Sequence, residues 1–270
     1  APPRMKAARL KTIVIVILLL VNAFLLFLLL SRRAEQTQAY ERTVEQLCEL
    51  FERSGVSFDR ALLPENSDVY ALSPERSSTR EMAFAKSLLG DDVSAFDSGG
   101  GISRYSSSLG SCSLRSGGTV DAVLSRPLND AAQFSRELFR SFGYEEVSSS
   151  LNGGSGSVTG MRRSKNGPIY NAALTLTFTD STLTGVSGTF LSDLDEGRRT
   201  DGLDAISALV RFLDYCGVSG VVCTEVSALD SGYLLQSSAS APLRLIPVWR
   251  ITTDVNNYYV NCKTGEVTRE

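Results

Sequence analysis

The pattern of apolar and polar positions changes character along the chain. From Ile13 to Leu30 it reads IVIVILLLVNAFLLFLLL, apolar throughout except for Asn22. As a helix rising about 1.5 Å per residue, this run spans about 27 Å, close to the hydrocarbon thickness of a bilayer. From Ala34 to Arg53 the pattern turns amphipathic. Tyr40, Val44, Leu47, Cys48 and Phe51 recur at spacings of three and four among Glu and Gln. That predicts a helix continuing out of the apolar run and ending at Gly55. Arg80 to Leu89 is predicted as a shorter helix closed by Gly90. The Ser- and Gly-rich stretch from Ser98 to Gly118 keeps alternation around Ile102, Tyr105 and Leu109, which predicts short strands.

The second half is more regular. Asn129 or Asp130 caps a helix running to Phe142, with Ala131, Phe134, Leu138 and Phe142 on one face and Gly143 after it. SSSLNGGSGSVTG follows as a loop or hairpin tip. Period-two strands come next: IYNAALTLTF after an Asn166-Gly167 turn, and TLTGVSGTFLS after a Thr179-Asp180-Ser181 turn. A helix over Gly202 to Tyr215 is expected to bury Ile206, Leu209, Val210 and Leu213. Strands GVVCTEVSAL and GYLLQSS and a closing hairpin, PVWRITTDVNNYYVNCKTGEV, complete the chain, with turns at Asp254-Val255-Asn256-Asn257 and Thr264-Gly265. The order predicts an α+β fold: an N-terminal transmembrane helix, then antiparallel sheets with helices packed on one face, in two tandem helix-plus-hairpin units. The expected divisions are a tail over 1–12, an anchor over 13–30, and αβ subdomains over 34–125 and 126–270.

Charge gives the anchor a direction. Arg4, Lys6, Arg9 and Lys11 precede the run with no acid among them, whereas Arg32 and Arg33 follow it and soon meet Glu35. The heavier basic flank stays in the cytoplasm, so the body is expected outside a cell membrane crossed once. A cleaved signal peptide would have a shorter apolar core followed by small residues, and here Ser31-Arg32-Arg33 follows at once. Setting aside the six flanking cations leaves 21 Lys+Arg against 30 Asp+Glu, a body of net charge −9. Such a body suits neither nucleic acid nor a flat contact with anionic lipid.

The chemistry searched for is sparse. With His 0, no Ser-His-Asp triad or Cys-His dyad can form, and a zinc site of the usual Cys/His kind is not expected. Five cysteines (Cys48, Cys112, Cys216, Cys223, Cys262) form no C-x-x-C pair, and an odd number cannot all pair within one chain. Cys216 and Cys223 are the first pair to suspect. Lys263-Thr264-Gly265 matches one box of the penicillin-recognising serine enzymes, but no lysine has serine three residues before it, so the box reads as a turn. Gly154 to Gly160, GSGSVTG, is Gly-rich without the strand before and helix after that a phosphate loop needs. Asp193, Asp195, Glu196, Asp201 and Asp204 crowd together without the spacing of a calcium loop, and read as a solvated loop entering a helix. No cofactor and no catalytic residue is expected. Asn22 stands apart: with Ile15, Leu18, Leu25 and Leu29 it shares one face of the apolar helix. An amide at that depth bonds across to another helix or is tolerated without a role.

Two stretches carry a family resemblance. Lys11-Thr12-Ile13, the hydrophobic span, and Asn22 followed by Phe24-Leu25-Leu26 are similar to the opening of YycI proteins. Pro247-Val248-Trp249, Tyr258-Tyr259-Val260-Asn261 and Lys263-Thr264-Gly265-Glu266 resemble that family's last strands and PepSY-type hairpins generally. Residues 63–240 match only in their αβ rhythm, and MKAAR stands where the family's Asp-Trp pair is expected. The resemblance implies a non-catalytic accessory of the YycFG (WalRK) two-component system, which controls cell-wall turnover. Its implied partners in the membrane are the sensor histidine kinase and a YycH-like companion. Trp249, Tyr258 and Tyr259 would then be core or interface aromatics, with Pro247 structural and Gly265 serving a turn. Two other readings stay open: a PepSY-like external inhibitor or wall-associated binding module, and an enzyme using carboxylates alone.

Overall fold

The computed structural model describes the backbone at residues 4–195, 197–238 and 241–270, and there all side chains except those at 4–16, 19, 23, 28–36, 238, 241 and 242. The chain forms two compact units, Ala1–Arg60 and Ala61–Glu270. In the first, one helix, α1, runs Arg4–Arg53, so the apolar run and the amphipathic stretch are one continuous element. It ends as predicted at Gly55, whose φ of +71° an ordinary side chain would resist. There the Gly55 amide donates to Glu52 O and the Val56 amide to Phe51 O, the paired bonds that close a helix on a left-handed residue. On its amphipathic part Val44, Leu47 and Phe51 are buried, while Tyr40 is exposed. Phe51 stacks on Phe58, of the two-residue β1 (Ser57–Phe58), at 4.8 Å. Among the described residues no helix is long and apolar enough to cross a membrane.

In the second unit one local plan occurs three times. After β2 (Val69–Ala71) and β3 (Pro74–Glu75), helix α2 (Ser78–Leu89) is followed by β4 (Ser94–Asp97), β5 (Ile102–Ser107), β6 (Gly110–Arg115) and β7 (Thr119–Pro127). Helix α3 (Ala131–Phe142) is followed by β8 (Tyr144–Ser149), β9 (Gly156–Ser164), β10 (Gly167–Thr179) and β11 (Thr182–Thr189). After β12 (Asp193–Leu194) and β13 (Arg198–Thr200), helix α4 (Ala205–Ser219) is followed by β14 (Glu225–Ser238), β15 (Ala241–Thr253), β16 (Asn257–Asn261) and β17 (Val267–Arg269). Each set of four strands is an antiparallel meander. The sequence pattern showed two such units, because the first is written in short Ser- and Gly-rich strands. The boundary expected between residues 125 and 126 falls inside β7.

The first two meanders join through their last strands. β7 and β11 pair antiparallel from Thr119↔Thr189 to Pro127↔Thr182, and α2 and α3 pack over the joined sheet. Phe84 of α2 lies 4.1 Å from Phe190 and 5.2 Å, edge-on, from Phe142 of α3, centroid to centroid. With Leu88, Leu138, Phe139, Leu174, Leu176 and Val186 they form the largest apolar core. Gly160 lets α3 settle on β9, since a Cβ there would stand 2.9 Å from the Phe139 ring. The third meander meets the second by one parallel pair, Ile169↔Tyr233, so the seam is parallel while each meander is antiparallel within itself. It has its own helix: Phe212 of α4 packs on Tyr258 at 5.1 Å.

Several local expectations shift. Asp130 caps α3 and Gly143 ends it in the left-handed region, as read. Ser77 caps α2, which starts at Ser78, two residues before the expected start at Arg80. Asp204, through its carboxylate, caps α4, which therefore starts after Gly202 and runs on to Ser219. The register moves with it: Ala205, Ala208, Leu209, Phe212 and Leu213 are buried, while Ile206 and Val210 are half-buried. GVVCTEVSAL and GYLLQSS lie largely in one strand, β14, which runs unbroken through Gly232. A strand, β8, does lead into the Gly-rich stretch, most of which is β9 of a hairpin.

Candidate functional site

The face predicted for helix docking lies on α1. Leu18, Asn22 and Leu25 are exposed there, as are Phe24, Leu26 and Phe27 beside them. The side chains of Ile15 and Leu29 lie outside the described residues. Pro247 and the aromatic residues singled out in the closing hairpin are interior. Pro247 is buried, and Trp249, Tyr258 and Tyr259 are 2%, 1% and 5% exposed. The Trp249 indole donates to Leu203 O at 2.9 Å, which ties β15 to the entry of α4. Tyr259 leans on Tyr170 across the seam at 5.3 Å. Gly265, at φ +72°, donates to Asn261 O, and the Asn261 side chain accepts from the Lys263 and Thr264 amides, so the Lys-Thr-Gly box is a turn.

The acidic run disperses. Asp193 pairs with Arg80 (3.3 Å), Asp195 accepts from the Ser73 amide (2.9 Å), and Asp204 accepts from the Ser207 amide at the start of α4. Asp201 is exposed and Glu196 lies outside the described residues. Among the described residues no group of three His, Cys, Asp or Glu is placed to hold a metal. All five thiols are free, with Cys112, Cys223 and Cys262 buried. Burial pushes the Cys216 thiol up to about 12, with Cys223 beside it adding to the shift.

What pattern reading missed is a set of charges assembled around α2 and β9. Glu81, 4% exposed, is gripped by Arg76 through Nε (2.6 Å) and Nη2 (3.2 Å), and Tyr105 donates its hydroxyl to the same carboxylate at 3.3 Å. That bond and those charges raise the Arg76 pKa, while burial, then Glu81, raises that of Tyr105. A buried charge needs such a partner, and Glu81 has a bidentate one. Arg80 lies over the Phe142 ring at 5.6 Å, and Arg162 over the Tyr144 ring at 5.7 Å. Nothing in the periodicity of either segment marks these residues: Arg76 lies outside α2, and Tyr105, Phe142 and Tyr144 are remote in sequence from the groups they meet.

A family described as YycI protein matches residues 34–262. The chain belongs to the YycI family. Membership makes this YycI protein a regulator, of the YycG (WalK) two-component system, and indicates no enzymatic family. The matched region begins after the apolar run and takes in the first two helix-and-meander units and the third as far as β16. No curated protein matches the chain. Among solved structures, the Bacillus megaterium YpeB C-terminal domain is 12% identical, covering 73% of this chain and 99% of its own, with a TM-score of 0.36. An uncharacterized protein from Eubacterium rectale is 10% identical, over 76% of this chain and 86% of its own, with a TM-score of 0.42. Likenesses of that size carry no argument about fold or function.

Proposed function

We propose that this YycI protein is a single-span accessory of the cell membrane that modulates a sensor histidine kinase controlling cell-wall metabolism. Its N-terminus is cytoplasmic and its Ala61–Glu270 unit extracytoplasmic. It acts beside a YycH-like companion, through the helix in the membrane and through the external unit. The family match over residues 34–262 carries the reading. The apolar run from Ile13 to Leu30, its four-against-two basic flanks, and the unbroken helix Arg4–Arg53 support the anchor. In a bilayer, the face of Ile15, Leu18, Asn22, Leu25 and Leu29 would meet a kinase helix, and the amide of Asn22 would take a hydrogen bond across the contact. The buried state of Trp249, Tyr258 and Tyr259 supports a structural duty for the closing hairpin.

Purification of the full chain from detergent-solubilised membranes tests this, beside a copy in which an unrelated apolar span replaces residues 13–30. Recovery of a histidine kinase with the native span alone places the contact on that helix. Recovery with both puts it on the external unit, and recovery with neither removes the kinase partner. Asn22→Leu is expected to lower recovery severalfold, in line with about 1 kcal/mol for an amide bond between membrane helices.

A further inference from the structure

Arg162 breaks the rule that Glu81 obeys. It is 7% exposed, and among the described residues no carboxylate pairs with it. Its Nη1 donates to Gly143 O at 2.9 Å and to Arg163 O at 3.3 Å, while its buried Nε has no hydrogen-bond partner. Arg80 is close enough to act on it, and the carboxylate paired with Arg80 is Asp193. Burial lowers the Arg162 pKa; the Tyr144 oxygen opposes that, Arg80 adds to it, and Asp193 opposes it. A guanidinium taken out of water without an anion is costly and is ordinarily matched by one.

The side chain lines a pocket of ≈ 330 Å³ shared with Arg163, Lys165, Asn166, Asp193 and Asp195. Arg163 is paired with Glu145 at 2.7 Å and Asp193 with Arg80, which leaves Arg162 and Lys165 against Asp195. Among the described residues the pocket is short of one negative charge. The observations favour a monoanion, because Asp193 and Asp195 on its wall would repel a dianion. They also favour a planar group, because the N–H donors of a guanidinium lie in one plane and pair well with a carboxylate.

We propose that this pocket is a binding site for a small organic carboxylate, held by Arg162 and Lys165. The site stands independently of the kinase reading, since it rests on the external unit alone. A ligand there would touch β9 and the segment carrying β12, and so would register on the external unit.

The test is ligand-observed NMR on the full chain in detergent micelles, with N-acetylglycine as probe and its methyl ester as the uncharged control. The acid is expected to bind at least about tenfold tighter than the ester, the factor that one good charged contact supplies. Lys165→Glu, at an exposed position, should weaken the acid by about the same factor with an unchanged unfolding temperature. Asp195→Asn, which keeps the acceptor for the Ser73 amide, should tighten it. Arg162→Lys would show whether the planar guanidinium matters beyond its charge, if its unfolding temperature is retained. Equal binding of acid and ester, indifference to Lys165→Glu in a folded chain, no binding of the acid, or tighter binding of inorganic phosphate would each overturn the proposal.

Discussion

The first two helix-and-meander units and the third share a plan and differ in how they are joined. β7 and β11 run a ladder from Thr119 to Pro127, and Phe84, Phe142 and Phe190 are common property of both units. Neither unit has a core without the other. The third meets its neighbour through one parallel pair, the Asn171 side chain bonded to the Leu235 backbone, and two small clusters, one of Leu72, Ile169, Ala172, Leu191, Tyr233 and Leu245 and one of Tyr170, Val248 and Tyr259. Its helix packs elsewhere, on Tyr258. Repetition of a local plan therefore does not determine how units cooperate. The length of the shared ladder and the ownership of the large apolar side chains do.

The chain's one tryptophan, Trp249, sits in the third unit, so the difference is measurable. Phe84→Ala should have the largest effect, about 3–5 kcal/mol, because it empties the middle of the shared core. In urea, the circular dichroism midpoint is expected to fall well below that of Trp249 fluorescence. If both midpoints fall together by the same amount, the three units fold as one. Gly232→Val acts on the seam itself: a Cβ there would lie 2.5 Å from the Tyr170 ring and 2.7 Å from Pro168 O. It should cost about 1–3 kcal/mol and widen the gap between the two midpoints; an unchanged gap would mean the seam does not couple the units. Asp204→Ala removes the cap of α4, for about 1 kcal/mol, and should move the fluorescence midpoint alone.

The smallest effect is on pH. The Asp254 carboxylate accepts from the Thr224 hydroxyl (2.7 Å) and from the Thr224 amide, and these bonds hold its pKa below the usual carboxylate value. A lowered folded pKa means the clasp is fully present above the ordinary value of about 4 and is lost as the pH falls through the folded one. An NMR titration should find Asp254 titrating below the ordinary carboxylate value, and Thr224→Val should bring it back toward that value. A midpoint unmoved by Thr224→Val would show that the hydroxyl contributes nothing.

What could be read in the sequence follows the same division between local and distant causes. α3 was legible to within a residue, because Asn129 and Asp130 each offer a cap and Gly143 is a local stop signal. α4 was read early because Gly202 looks like a start, whereas the carboxylate that accepts the first free amide is Asp204's. Gly232 suggested a break between two strands. Its real duty is to let the backbone of β14 pass close to Tyr170, a fact of tertiary packing that no window of neighbours contains. The first meander was legible only as short strands between Ser98 and Gly118, and its longest strand, β7, lies beyond that stretch. Of the candidate sites, the apolar helix face was legible as a period. The pocket beside Arg162 was not, since Arg80, Arg162, Asp193 and Asp195 come from segments up to 115 residues apart and meet only in the folded unit.

The regulatory reading is tested most directly by reconstituting the sensor kinase in proteoliposomes and measuring its autophosphorylation with and without this YycI protein at equal density. The native chain should change the rate severalfold in one direction, and Asn22→Leu should return it part of the way toward the kinase alone. A rate unaffected by the native chain, with or without the YycH-like companion, would contradict a regulator of that kinase.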